Sequence, residues 1–410
     1  MATDIESTAV HAPETPSRNK NVSSSSSYSG PIDTEKLGRS RPDIFANGWV
    51  EIGFCISVLG SMMMAEFLIS GFSVLLPVLI EDTGIDPNQR TWPITVFSLV
   101  TGSLLLPFGR LVDMFGGYPV YLGGLSWLTL WAIVGGFSRT LPMVLATRAL
   151  QGVGAAAFLP AGTTLLGTTY RPGPRKNTIF SLYGGCAPLG FFSGIIVAGL
   201  TGEFLYWGWF FWIAIQTVLR VPPLLAALWF SPMAAGGIII ALVGGVTLHR
   251  LPGTILLLLA GTGFVLCSLL FALIPENPSY WRWVFPAMVC TTIGIDISFN
   301  VSGIFITTSV PKHQQGLAGA CINGLVFLGI SFFLGWADFA VMSRSSNGLG
   351  ESYKVAFWFA VGCGAGVILI VLGFIRIGKA KSDFTVDEKA QQRQTVHENE
   401  EARPETVAMT

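Results

Sequence analysis

Polar residues bracket the chain and apolar residues fill its middle. Residues 1–48 are polar and include the serine run Ser23–Ser27, and residues 379–410 are polar again. Between them lie unbroken apolar runs with short connections: roughly 50–80, 92–112, 118–138, 142–169, 178–201, 204–219, 222–248, 252–274, 283–309, 316–340 and 354–376. A run of about 20 apolar residues crosses a bilayer core as a helix, whereas barrel strands would alternate apolar and polar positions. The pattern predicts an all-α, polytopic membrane bundle of about eleven spans. The two ends read as disordered cytosolic tails, without the apolar segment of a cleaved signal peptide.

Basic residues set the orientation, because they stay on the cytosolic side. Arg39 and Arg41 precede the first run, Arg171, Arg175 and Lys176 follow the fourth, and Arg376, Lys379 and Lys381 follow the last. His249, Arg250 and Lys312 fit the same side, and the acidic Glu81, Asp82 and Asp86 fit the other. Both ends inside requires an even number of crossings, which conflicts with eleven. The conflict localises to 204–248, where a short run meets Val221-Pro222-Pro223. Either one run is not a crossing or part of the bundle is missing there.

Composition agrees with a membrane protein: 51% of residues are hydrophobic and 12% charged, with a mean hydropathy of +0.59. The formal net charge is zero, so nothing points to nucleic acid. Cys55, Cys186, Cys267, Cys290, Cys321 and Cys363 all fall in apolar runs without paired spacing and read as small buried thiols. The four histidines offer no metal spacing, and no GxxxxGK[ST] loop is present to bind ATP. Neither a cofactor, an enzymatic reaction nor an obligate protein partner is expected. Tyr206–Trp212 reads as an interfacial aromatic belt, and the glycosylation triplet Asn21-Val-Ser23 would stay unmodified in a cytosolic tail.

Polar residues inside the runs carry the candidate chemistry. Arg148 and Gln151 sit at membrane depth, about one helical turn apart on one face. A guanidinium there costs about 2.5–3.5 kcal/mol on insertion scales, so it must face a bundle interior or a watery cavity. Gly152, Gly154 and Ala156 let another helix approach beside it. Thr292, Asp296 and Asn300 recur at every fourth position and share a face, with Asp296 near mid-run. An intramembrane carboxylate can take up and release a proton. Glu66, after Met62-Met63-Met64, is a second such carboxylate. Asn323 is a candidate cavity residue, and Asp338 reads as interfacial. Gly109, Asp113, Gly116 and Gly117 end the second run, where Asp113 could accept from a neighbouring helix N-terminus and the glycines allow a turn. In the fifth run Pro188 kinks the helix, and Gly190 and Gly194 make a small-residue face. Each has a plainer alternative: an ordinary loop carboxylate for Asp113, a packing kink for Pro188, a structural carboxylate for Asp296.

Three of these motifs, in this order, resemble the signatures of the major facilitator superfamily: Gly109–Gly117, Arg148-x-x-Gln151-Gly152-x-Gly154, and Gly185–Gly194. More closely, the chain resembles the fungal fourteen-span drug:proton antiporters, in the branch with aminotriazole-resistance and boron exporters. Gly294-Ile-Asp296-Ile-Ser-Phe-Asn300 and Pro311–Ala318 carry that likeness in the second half. Two departures stand out: Gly117-Tyr118 replace the basic pair that normally ends the loop signature, and Ala187 precedes Pro188 where glycine is usual. The resemblance implies an N-terminal six-helix bundle (49–220) and a C-terminal bundle (221–378) that has lost roughly three spans at the 204–250 join. It implies a secondary active exporter of a toxic xenobiotic or secondary metabolite, exchanging it for protons across the plasma membrane, or a vacuolar or vesicular one. Glu66, Arg148 and Asp296 become coupling residues, with Gln151, Asn300 and Asn323 on the pathway. Gly109, Asp113, Gly116, Gly152, Pro188, Gly190 and Gly194 shape and gate it. The alternatives are uptake of a small polar nutrient or ion, and a truncated remnant or sensor that transports nothing.

Overall fold

The computed structural model describes residues 34–83, 91–204, 210–211, 224–275, 279–343, 349–380 and 384–401. Twelve α-helices are described: α1 Thr34–Arg39, α2 Gly48–Thr83, α3 Trp92–Phe115, α4 Gly117–Gly136, α5 Leu141–Thr169, α6 Pro174–Phe204, α7 Leu224–Arg250, α8 Gly253–Ala272, α9 Phe285–Ser309, α10 Gln315–Ser343, α11 Leu349–Phe374 and α12 Val386–Glu401. No strand occurs among the described residues. Prolines mark several starts: α3, α5 and α9 carry one in their first two positions, and α6 opens on Pro174. A proline there loses no helical hydrogen bond and has its φ preset.

Eight of the described helices are long and apolar enough to cross a membrane. The expected number of eleven is therefore not reproduced. α4 and α7 are helical but fall outside those eight, and the expected run 204–219 lies outside the described residues except at its start, Phe204, and at Phe210 and Phe211. Those two rings do not sit in an aromatic belt. Both are buried, Phe210 stacked on Phe67 of α2 at 5.1 Å and Phe211 tilted against Phe72 at 5.7 Å. The rest of Tyr206–Trp212, Arg220–Pro223, Asp86 and the tail with Asn21 and Ser23–Ser27 lie outside the described residues, and the side chain of Asp338 is not described.

The helices pack as neighbours along the chain and across it. α2 lies on α6, α5 between α3 and α4, α8 between α9 and α11, and α10 against α11. The two main seams between the earlier and later helices are α3 with α10 and α6 with α7, beside smaller ones of α5 with α10 and α6 with α9. The second seam is antiparallel, since Gly245, Gly244 and Gly237 of α7 lie in turn against Thr178, Ser181 and Pro188 of α6. α7 therefore returns to the end from which α6 departs. That end also gathers the basic connections: Asn177 and His249 reach the Ala380 carbonyl, and Arg171 pairs with Glu388. Both described chain ends thus meet on one side, as the basic residues require, and α6 and α7 run in opposite directions on either side of the join where the conflict arose.

Two expectations about the tails need correction. α1 and α12 are helices inside stretches read as disordered. α12 is held by a capping box that the polar composition hid: the Thr385 backbone N–H donates to Glu388 Oε2 at 2.9 Å and the Glu388 N–H to Thr385 Oγ1 at 3.3 Å. The thiols also differ, since five cysteines are half-buried and Cys321 is exposed on the apolar surface.

Candidate functional site

Arg148 does not face an open cavity. It is fully buried (0% exposed), with its guanidinium between the rings of Phe72 and Phe97 at 4.4 and 4.6 Å. Nη1 donates to Gln151 Oε1 at 3.2 Å and Nε to the Pro93 carbonyl at 3.4 Å. Gln151 in turn donates to the Trp131 carbonyl of α4 at 3.1 Å. Arginine, weakly hydrated and planar, suits such a slot where lysine would not. Among the described residues no carboxylate pairs with Arg148. Gly152 and Gly154 let the flanking helices close around this cluster. A Cβ on Gly152 would stand 2.8 Å from the Phe97 carbonyl of α3, and one on Gly154 2.9 Å from the Gly124 carbonyl of α4.

The carboxylates lie elsewhere, Asp296 where α6, α7 and α9 meet and Glu66 on α2, which packs against α6. Thr292, Asp296 and Asn300 are all buried on one face of α9. Thr292 lies against Gly236, Asp296 beside Gly237, and Asn300 against Gly184. Asp296 is 1% exposed, and its Oδ2 finds no hydrogen-bond donor among the described residues. Asn300 Oδ1 is in the same position. Glu66 is half-buried on α2, the helix packed against the other side of α6 at Gly190 and Gly194. Pro188 fills the space that Gly237 leaves open, inside a helix that continues past it. Gly190 and Gly194 bring α2 within touching distance, their Cβ positions lying 2.2 Å from the Met63 carbonyl and 2.4 Å from the Phe67 carbonyl. Asn323 belongs to neither cluster: its amide donates to Gly319 of its own helix at 2.9 Å.

Asp113 closes the α3–α10 seam. Its two oxygens accept from the backbone N–H groups of Gly316 and Leu317 at 2.6 and 3.0 Å, which are unsatisfied donors at the positive start of α10. Gly109 allows this approach, lying against Ala320 and the Gly316 carbonyl. Gly116 takes φ +90° and supplies the turn into α4, whereas Gly117 is already helical.

Two charged groups escaped the sequence reading. Glu51, buried in the first turn of α2, takes both Arg175 Nε at 2.9 Å and Nη2 at 2.5 Å, and accepts from Tyr170 at 3.0 Å. Lys176, read as a loop cation, is 2% exposed and donates to the carbonyls of Gly167 and Thr307 at 3.2 and 3.4 Å. Pro174 was the available signal: a proline at the first helical position places Arg175 and Lys176 inside α6.

The Major Facilitator Superfamily sequence model matches residues 54–219, which covers the Arg148 cluster, Gly190 and Gly194. The human organic anion transporter MFSD10 (TETRAN) superposes with a TM-score of 0.59 at 13% identity, over 78% of this chain and 99% of that one. Over residues 54–219 the chain is therefore similar to the major facilitator superfamily. The efflux pump terJ of Aspergillus terreus is 23% identical over 490 residues, with 88% of this chain and 94% of the relative aligned. The low affinity ammonium transporter of Saccharomyces cerevisiae is 24% identical, over 74% and 84% of the two chains. With its eight described long apolar helices the chain is a multi-pass membrane protein, and the relatives it resembles are transporters.

Proposed function

We propose that this transporter exports small organic molecules in exchange for protons, with Asp296 and Glu66 as the proton-carrying pair. The observation that carries the reading is the Asp296 carboxylate, buried at the α6–α7–α9 junction with one oxygen lacking a donor. Such a group has no fixed partner to hold its charge, so its proton is held or lost according to whether water reaches it. In alternating access, water reaches the midplane from one side at a time. Arg148 is a packing element in this account, because its bonds are to neutral groups. Export, of a toxic xenobiotic or a secondary metabolite across the plasma membrane, is supported by the likeness to an efflux pump.

A second reading, uptake of a small cation, draws on the ammonium transporter likeness. Growth on limiting ammonium separates it from resistance to toxic compounds. An internal shortening near 204–250 fits the alignment to terJ, whose 490 positions exceed the 410 residues of this chain. Efflux of a panel of fluorescent and toxic compounds from pump-depleted yeast tests the main reading. Asp296→Asn is expected to abolish gradient-driven efflux while leaving surface expression intact, and unchanged efflux in that variant sinks Asp296 as the carrier.

A further inference from the structure

The basic end of the bundle holds a cavity of about 460 Å³, lined among others by Arg41, Arg171, Lys176, Thr307, Lys312 and Gln315. Its inner wall is closed by an unusual contact. Lys176 sits in the first turn of α6, where a cation opposes the helix dipole. Its Nζ is compensated by the carbonyls of Gly167 and Thr307, which belong to the last turns of α5 and α9. Carbonyls in a last turn lack helical partners and lie at the negative end of the dipole, so two helix ends converge on one ammonium. Gln315, the first residue of α10, braces the α9 end from its own side: its Nε2 donates to the same Thr307 carbonyl at 2.7 Å and to that of Val310 at 3.2 Å. Gly167 leaves room for it, since a Cβ there would stand 2.4 Å from Gln315 Oε1. No carboxylate pairs with Lys176 among the described residues.

We infer that Lys176 is the latch of the cytoplasmic mouth, tying the inner ends of α5 and α9 together when that side is shut. The bonds run only to neutral carbonyls, and the cavity beside them gives the ammonium room and water to turn into. Release of Lys176 itself therefore breaks no ion pair, and it frees the direct tie between the ends of α5 and α9. This rests on the transport reading, because a mouth that never opens needs no latch.

The test is a distance measurement on the full chain in lipid nanodiscs, with the six cysteines replaced and nitroxides placed at Thr169→Cys and Ser309→Cys, the last residues of α5 and α9. Lys176→Met is expected to raise the ratio of long to short distances by about tenfold to a hundredfold, the scale of one or two charge-assisted hydrogen bonds. Lys176→Arg, which keeps charge and donors, is expected to hold the short distance. An unchanged distribution in Lys176→Met, or equal opening in Lys176→Arg, overturns the latch. Should Lys176→Met fail to reach the membrane, Lys176→Gln, which is shorter and uncharged, is read by the same criterion. The measurement uses no cargo, so a chain that opens as expected but exports nothing removes the transport reading and leaves the latch standing.

Discussion

At the scale of the residue, the two intramembrane charges that look alike in the sequence behave differently. Arg148 is held by two rings, an amide and a carbonyl and leaves only Nη2 without a hydrogen bond, while Asp296 Oδ2 finds no donor among the described residues. The arginine therefore makes a prediction about stability. Arg148→Lys keeps a buried charge but loses the planar stack and the bond geometry, and is expected to destabilise the protein by about 1–3 kcal/mol. Arg148→Met removes the charge at similar length and is expected to cost less, because an unpaired buried cation carries a desolvation penalty of its own. Thermal melts of the purified variants in detergent decide this. A methionine variant melting below the lysine variant contradicts the packing role.

At the scale of the element, close approach of helices carries the architecture, and glycines make it possible. A Cβ on Gly190 would press within 2.2 Å of the Met63 backbone, which belongs to a helix and cannot step aside, whereas one on Gly329 meets nothing within 4 Å. Gly190→Ala is expected to lower stability by about 1–3 kcal/mol or more through overpacking, and Gly329→Ala to be neutral. Size-exclusion profiles after heating read the difference, and equal behaviour of the two variants contradicts the α2–α6 packing. Much of this scale was legible beforehand. Continuous apolar runs announced the helices, the spacing of Gly190 and Gly194 announced a helix contact, and the four-residue repeat of Thr292, Asp296 and Asn300 announced a shared face. Other features were not legible, because they depend on partners remote in sequence. Nothing in the run around Arg148 says that Phe72 and Phe97 will enclose it. Nothing near Lys176 says that the ends of α5 and α9 will converge there. The helical tail α12 was hidden by its polarity, although Thr385-Val-Asp-Glu388 spells a capping box.

At the scale of the whole molecule, the antiparallel run of α7 along α6 sets both ends of the described chain on the basic side. Epitope tags at the two termini are then both expected to be reached only after the cell is permeabilised. A tag stained on intact spheroplasts contradicts that topology. The same bundle places Asp296 at the junction of α6, α7 and α9, where rocking of packed helices would change access of water to it. Proton-coupled export is the central claim, and efflux from pump-depleted yeast tests it most directly, with and without a protonophore, for the parent chain and Asp296→Asn at matched surface expression. The account predicts efflux by the parent that collapses with the protonophore, and none driven by the gradient in Asp296→Asn. Efflux that persists in the presence of the protonophore, or that survives in Asp296→Asn, contradicts it.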